Sequence, residues 1–300
     1  MHPNPPTTQP LVYRPIAMDA LPLQSVTQTN MAQPRKPKLG QNFLTDDAAR
    51  HRIAYSLGDI AHRTVVEIGP GHGAITSILA ERAQRLICIE LDRALAAELT
   101  FHYRNHPNVQ IVEADILHTN LSTYLQPGET ADVIGNLPYY ITSDILLHLF
   151  AQNASLRMAV IMMQREVADR ISATPGTRDF GLLSATAQMY TQVDNLFTLP
   201  PTAFTPAPDV YSSVLRLIVH PRFAELHVQP AAFNTFLKSC FQQKRKTLFN
   251  NLRAGGVSAD RIDSACKAAD LSPTLRAEAM SLEQLAAVHR ALETPLADSV

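Results

Sequence analysis

An α/β fold is predicted by three features of the sequence: a mostly parallel sheet covered by helices on both faces, followed by a small all-helical region. Short continuous apolar runs alternate with amphipathic stretches over residues 46–172. Runs without polar alternation belong to strands buried on both faces, which is how parallel sheets read. A glycine cluster stands where the first such run turns into a helix. After His220 the pattern becomes purely helical.

Each element follows from its local pattern. DDAARHRIAYSL (46–57) reads as a helix with Asp46 at its N-cap. TVVEI (64–68) is a strand and AITSILAERA (74–83) a helix. RLICIE (85–90) and VQIVEAD (109–115) are strands, with the helix RALAAELTFHYR (93–104) between them. ADVIGNL (131–137) is a strand followed by the helix SDILLHLFAQ (143–152). MAVIMM (158–163) is a strand followed by the helix REVADRIS (165–172). DNLFTL (194–199) and VYSSVLRLIV (210–219), joined by a Pro-rich loop, are expected to form an antiparallel pair closing one sheet edge. The segment 231–253 is one helix or two, and SLEQLAAVHRAL (281–292) is a helix with Ser281 and Gln284 as a capping box. Residues 1–34 are rich in Pro, Thr and Gln without periodicity, and are expected to be a disordered extension. The expected division is that extension, a first domain over 35–220 and a helical domain over 221–300.

The 300 residues are 46% hydrophobic and 18% charged, with a net charge of −1, which is ample material for a globular core. Cys88, Cys240 and Cys266 are far apart and form no metal spacing. A reducing, cytoplasmic location is expected, and a monomer. There is no run of 18 apolar residues and no basic start leading into an apolar segment, so neither a membrane span nor a signal peptide is expected. His102 and His106 have an i, i+4 spacing, but no acid or cysteine completes a metal site. GxSxG and P-loop motifs are absent, which removes the common hydrolase and NTPase readings. The near-neutral total hides local charge. Lys238, Lys244, Arg245, Lys246 and Arg253 lie in one stretch without an acid, and RKPK (35–38) adds three more basic residues. Such patches suit RNA phosphates. A solvated helix face accounts for Lys238 and Arg253 equally well, and less well for the compact Lys244–Lys246 cluster.

The first strand runs into VEIGPGHGAIT, where Gly69, Gly71 and Gly73 form GxGxG. Glycines there let the backbone approach a ligand closely. Glu90 ends the second strand and can accept hydrogen bonds from ribose hydroxyls. Asp115 ends the third and can accept from an exocyclic amine such as adenine N6. A dinucleotide fingerprint would read GxGxxG, so an NAD-dependent dehydrogenase is disfavoured. The shorter spacing suits S-adenosylmethionine, which has a ribose and an adenine but no phosphate. Glu67 either faces the cationic methionine end or is an end-of-strand polar residue.

A second unusual stretch is GNLPYYITS (135–143), where a buried strand ends on an amide, a proline and two tyrosines. Together with KLGQNFL (38–44), IELDR (89–93), EADIL (113–117), FGLLSATAQMY (180–190), AFTPAPDVYSSVLRL (203–217) and KRKTLFNNL (244–252), it resembles the ribosomal RNA adenine dimethyltransferase family of the KsgA/RsmA type. The resemblance covers about Arg35 to Leu292. It implies a Rossmann-like S-adenosylmethionine-dependent methyltransferase sheet and a helical C-terminal domain used in RNA recognition. The implied substrate is two adjacent adenines near the 3′ end of 16S rRNA, in the small ribosomal subunit or its precursor. Asn42 and Leu44 resemble the segment closing over the cofactor, and Gly69 and Gly71 the glycine loop. Glu90 matches the ribose ligand, Asp115 the adenine ligand and Asn136 the asparagine beside the methyl donor and the target amine. Two departures stand out: KPKL before Gly40 replaces a frequent Arg-Phe pair, and Phe180 stands where Tyr is common.

Adenine N6 is a poor nucleophile because its lone pair is delocalised. Two acceptors on its hydrogens, the Asn136 side-chain oxygen and the Leu137 or Pro138 carbonyl, would turn the lone pair towards the methyl and bind harder as positive charge develops. Pro138 fixes the turn. Tyr139 offers a stacking face for the extruded base, and Phe204 is a candidate second wall. For Tyr140, packing is the favoured reading. Two other readings compete with small-subunit methylation. One is a related enzyme acting on large-subunit rRNA, and the other is an assembly factor whose catalysis is dispensable.

Overall fold

The sheet begins where the sequence places it. In the computed structural model, which describes residues 42–294, Thr64–Ile68 (β2), Arg85–Glu90 (β3), Val109–Glu113 (β4), Ala131–Asn136 (β5) and Leu156–Gln164 (β6) are parallel neighbours in the order β4-β3-β2-β5-β6. Thr191–Leu199 (β7) and Ser212–Val219 (β9) complete seven strands. β9 lies antiparallel to β6, and β7 pairs antiparallel with β9 as the outer edge. The expected antiparallel closure is therefore present, with the later strand inserted inside the earlier one.

A small second sheet was not legible in the sequence. Phe43–Leu44 (β1) pairs with Phe204–Thr205 (β8), which brings the start of the described chain against a loop some 160 residues later. The disordered extension expected over 1–34, and the basic RKPK at 35–38, lie outside the described residues. Those described fall within the unit Pro37–Val300.

Asp47–Tyr55 (α1), Thr76–Arg82 (α2) and Arg93–His102 (α3) cover one face of the sheet. Asp46 caps α1 as expected, its side chain accepting from Ala49 N–H at 2.9 Å. Thr142–Ala151 (α4), Arg165–Ser172 (α5) and Leu182–Tyr190 (α6) serve the opposite face. Strand residues alternate between the two cores: Val66, Ile68, Ile87 and Ile89 join one, Val65, Leu86 and Cys88 the other. α6 has no clear helical periodicity in the sequence. Its small residues Ser184, Ala185, Thr186 and Ala187 are all buried, which weakens the amphipathic signal.

After β9 come Pro230–Cys240 (α7), Leu248–Ala254 (α8), Ala259–Ala268 (α9) and Leu282–Glu293 (α10). The segment left as one helix or two is two. Ser281 and Gln284 form the expected capping box on α10. The core runs across residue 220: Tyr190 packs edge-on against Phe223 at 5.0 Å, and its hydroxyl accepts from Asn234 at 2.7 Å. Phe180 is buried against Phe241, in a site that offers its ring position an aromatic neighbour. No helix among the described residues is long and apolar enough to cross a membrane.

Candidate active site

The strand order reverses direction between β2 and β5. β2 leads outward to β3 and β4, while β5 leads the other way to β6. Open sheets leave a crevice at the carboxyl ends of strands on either side of such a reversal. Here the crevice holds both unusual stretches, since Ile68, the last residue of β2, pairs with Gly135, the last but one of β5. Gly135 permits that approach. A Cβ on it would lie 2.8 Å from the Ile68 carbonyl oxygen, closer than carbon and oxygen tolerate.

One cavity runs along this crevice. At one end are Ala114, Asp115 and Ile116. Glu90, Leu91 and the Gly69–Gly71 loop form its middle, and Asn42, Phe43 and Leu44 one side. Asn136 to Ile141 form the other end. All the expected cofactor residues (Asn42, Leu44, Gly69, Gly71, Glu90, Asp115 and Asn136) therefore come together. The sequence reading missed Phe43, Leu91 and Ile116, apolar residues whose role depends on a cavity wall. Gly71 sits at φ +61, and a Cβ there would meet the Phe43 ring at 3.2 Å. The ring also lies 4.7 Å from His72, so Phe43 is held over the glycine loop.

Three carboxyl groups face this space. Both oxygens of Glu90 accept backbone N–H groups, from Gly71 at 3.0 Å and Asp92 at 2.9 Å, which locks its position. Asp115 accepts from Leu117 N–H at 2.9 Å. Glu67 is 1% exposed and accepts from the Thr76 hydroxyl at 2.7 Å and from the Cys88 thiol at 3.6 Å. Burial pushes its pKa from 4.5 up to about 7, against the lowering effect of those two donors. Cys88 beside it is pushed well above its ordinary value, first by burial and then by Glu67. The other oxygen of Asp115 faces His118 Nδ1 at 3.2 Å, and no Lys or Arg among the described residues lines the cavity, so the site offers little to a diphosphate. It suits a ligand with hydroxyl and amine donors and a cationic centre, which is the donor pattern of S-adenosylmethionine.

At the far end, geometry orients each group. The Asn136 amide nitrogen donates to the Asn42 carbonyl at 3.1 Å. Its oxygen therefore points away from that carbonyl, and accepts no bond among the described residues. The Pro138 carbonyl already accepts twice, from Ile141 N–H at 3.2 Å and the Thr142 hydroxyl at 2.9 Å. Leu137 is held by its N–H on Met162 at 3.1 Å, while its carbonyl accepts nothing among the described residues. Of the two carbonyls considered in the sequence, the one left open is Leu137. Tyr139 lines the cavity with its hydroxyl 2.8 Å from Ser212 Oγ. Burial raises its pKa, so it stays a neutral phenol.

One expectation needs correction. Phe204 is 3% exposed, paired through β8 to Leu44 and packed in the core with Ala203 and Leu199. It does not line the cavity, so it is not the second wall in this structure. Tyr140, for which packing is the favoured reading, is 61% exposed and stands at the cavity rim, not in the core. Lys244, Arg245 and Lys246 are exposed in the loop between α7 and α8, remote in sequence from the cavity and without a carboxylate partner among the described residues. His102 and His106 flank Tyr103 at ring distances of 4.9 and 5.2 Å, and no metal-binding cluster is present among the described residues.

Comparison with known proteins gives the same direction. A family model described as "Ribosomal RNA adenine dimethylase" matches residues 32–289. A curated relative from Acidobacterium capsulatum, "Ribosomal RNA small subunit methyltransferase A", is 55% identical over 86% of this chain and 91% of its own length. Among solved structures, a dimethyladenosine transferase from Plasmodium falciparum matches with a TM-score of 0.67 at 21% identity, covering 82% of this chain and 95% of that one, and supports the fold. The "23S rRNA methyltransferase ErmE" matches with a TM-score of 0.63 at 25% identity, covering 84% of this chain and 100% of that one.

Proposed function

The chain belongs to the ribosomal RNA adenine dimethylase family, and from that premise we infer that its substrate is 16S rRNA in the small ribosomal subunit or its precursor. It is an S-adenosylmethionine-dependent enzyme that places two methyl groups on N6 of each of two adjacent adenines, near the 3′ end of that RNA, during ribosome biogenesis. The small-subunit assignment is favoured over a large-subunit one by the much higher identity to the small-subunit relatives. A cytoplasmic monomer fits this role.

The observation that carries the mechanism is the fixed orientation of Asn136. With its nitrogen bound to the Asn42 carbonyl, its oxygen is the group offered to an incoming amine. In this reading the oxygen accepts one N6 hydrogen and the open Leu137 carbonyl accepts the other. The lone pair is thereby held out of the adenine plane and towards the methyl donor. As N6 becomes positive, both acceptors bind it more strongly, and the surplus proton leaves to water. After the first transfer one N6 hydrogen remains, so one acceptor still orients the amine for the second.

Asn42, Leu44, Gly69, Gly71, Glu90, Asp115 and Asn136 would hold the cofactor, with Glu90 on the ribose and Asp115 on the adenine. When bound, it supplies a methyl group already activated on a sulfonium. Tyr139, pinned by Ser212, gives the extruded adenine a flat wall. Pro138 spends its carbonyl on closing the turn that aims Leu137. Lys244, Arg245 and Lys246, on the helical region 221–300, would neutralise RNA phosphates.

Tritium transfer from labelled S-adenosylmethionine tests the assignment, followed by nucleoside analysis of the labelled RNA. Label is expected in N6,N6-dimethyladenosine of unmethylated small subunits and not in large subunits. The reverse pattern would sink the small-subunit reading.

A further inference from the structure

We propose that Tyr211 and Arg165 form a second nucleobase site, which stacks the nucleotide adjacent to the adenine being methylated. The inference rests on the function proposed above and adds a substrate contact to it. β9 begins at Ser212, which pairs with Gln164, the last residue of β6. Tyr211 and Arg165 are the next residues outward on these two strands, so they meet just beyond the sheet edge that carries the cavity. Arg165 N–H donates to the Tyr211 carbonyl at 2.9 Å, and the Arg165 guanidinium lies 5.3 Å from the Tyr211 ring centroid. Tyr211 is nevertheless 48% exposed, and Val210 beside it is exposed too. Among the described residues the Tyr211 hydroxyl has no hydrogen-bond partner and its ring no aromatic neighbour. With the guanidinium over the ring and half of the side chain exposed, Tyr211 has ring surface free for a planar ligand.

Continuity with the cavity identifies that ligand. Ser212, the next residue, anchors Tyr139 at 2.8 Å. The hydroxyl of Tyr139, the wall for the target adenine, is thus tied to the first residue of β9, and the exposed Tyr211 is the residue just before it. A nucleotide neighbouring an extruded base is itself unstacked on that side, and an aromatic platform compensates it. Glu166 and Asp209, both exposed, flank the pair in sequence. The exposed ring is the part of the site that meets the base, so its contribution should vary little with salt.

The test uses the full chain, Tyr211→Ala and Tyr211→Trp. Two quantities are read: KM for methyl transfer to unmethylated small subunits, and Kd for a single-stranded RNA heptamer carrying two adjacent adenines. Tyr211→Ala is expected to raise both roughly tenfold, by a similar factor at low and high salt, as loss of one stacked base does. Binding of S-adenosylmethionine stays unchanged, and Tyr211→Trp restores RNA affinity. Making the nucleotide beside the target adenine abasic, with the target itself kept, should cost the wild-type chain the same factor and cost Tyr211→Ala nothing further. Wild-type KM and Kd in Tyr211→Ala, beside an active wild-type enzyme, would overturn the subsite alone. An abasic penalty equal in both proteins would do the same. A wild-type chain that transfers no methyl to rRNA overturns the function reading, and the subsite with it.

Discussion

Glu90 and Glu67 show how two acids in one cavity take different roles. Glu90 is fixed by two backbone N–H groups and keeps outward lone pairs for ribose hydroxyls. Glu90→Ala should weaken S-adenosylmethionine at least about tenfold by calorimetry, the scale of one lost charged hydrogen bond. Glu67 is buried with only hydroxyl and thiol donors, and its pKa of about 7 exceeds the ordinary 4.5. The folded state therefore binds this proton more tightly than the unfolded state. Stability is fully present below about pH 4.5 and declines as pH rises through 7, by roughly 3 kcal/mol for this group. Glu67→Gln keeps an oxygen for Thr76 and cannot ionise, so its melting temperature should fall less than that of the wild type between pH 5 and pH 8. An identical fall in both proteins would remove Glu67 as the cause. The acids were legible in the sequence because each lies at or within two residues of a strand's end: Glu90 closes β3, Glu67 precedes the last residue of β2, and Asp115 follows β4. The orientation of Asn136 was not, because it depends on Asn42, a residue 94 positions away.

At the scale of elements, the site depends on how closely two strand ends approach. Gly135 lies inside an apolar run in the sequence, yet it decides that spacing. Gly135→Ala forces a carbon against the Ile68 carbonyl and should cost about 3 kcal/mol. A melting temperature lower by roughly 5–10 °C is expected, and an unchanged one would show that β2 and β5 can part without loss. The strands of the parallel sheet were readable because burial on both faces leaves unbroken apolar runs. The β1–β8 pair and α6 were not, the first because two-residue strands have no periodicity, the second because its face is built of small residues. Phe204 was misread for the same reason: its burial is a consequence of the β1–β8 pairing.

At the scale of the molecule, a compositional boundary is not a break in the core. The switch to helices after His220 is plain in the sequence, but Phe223, Phe233, Leu237 and Leu285 complete the core begun by Phe150, Phe180 and Tyr190. A chain ended after His220 should lose its cooperative thermal transition, whereas a melt at the full-length temperature would mean that the helices add only a surface. That shared core ties the basic loop of 244–246 and the cavity to one framework, as an enzyme acting on a large RNA requires. The central claim, that Asn136 orients the amine, is tested most directly by the single-turnover rate of methyl transfer to unmethylated small subunits by Asn136→Ala. A fall of about 100-fold or more is predicted, with subunit binding intact, since one transition-state acceptor is lost. A rate within a few-fold of the wild type would contradict it.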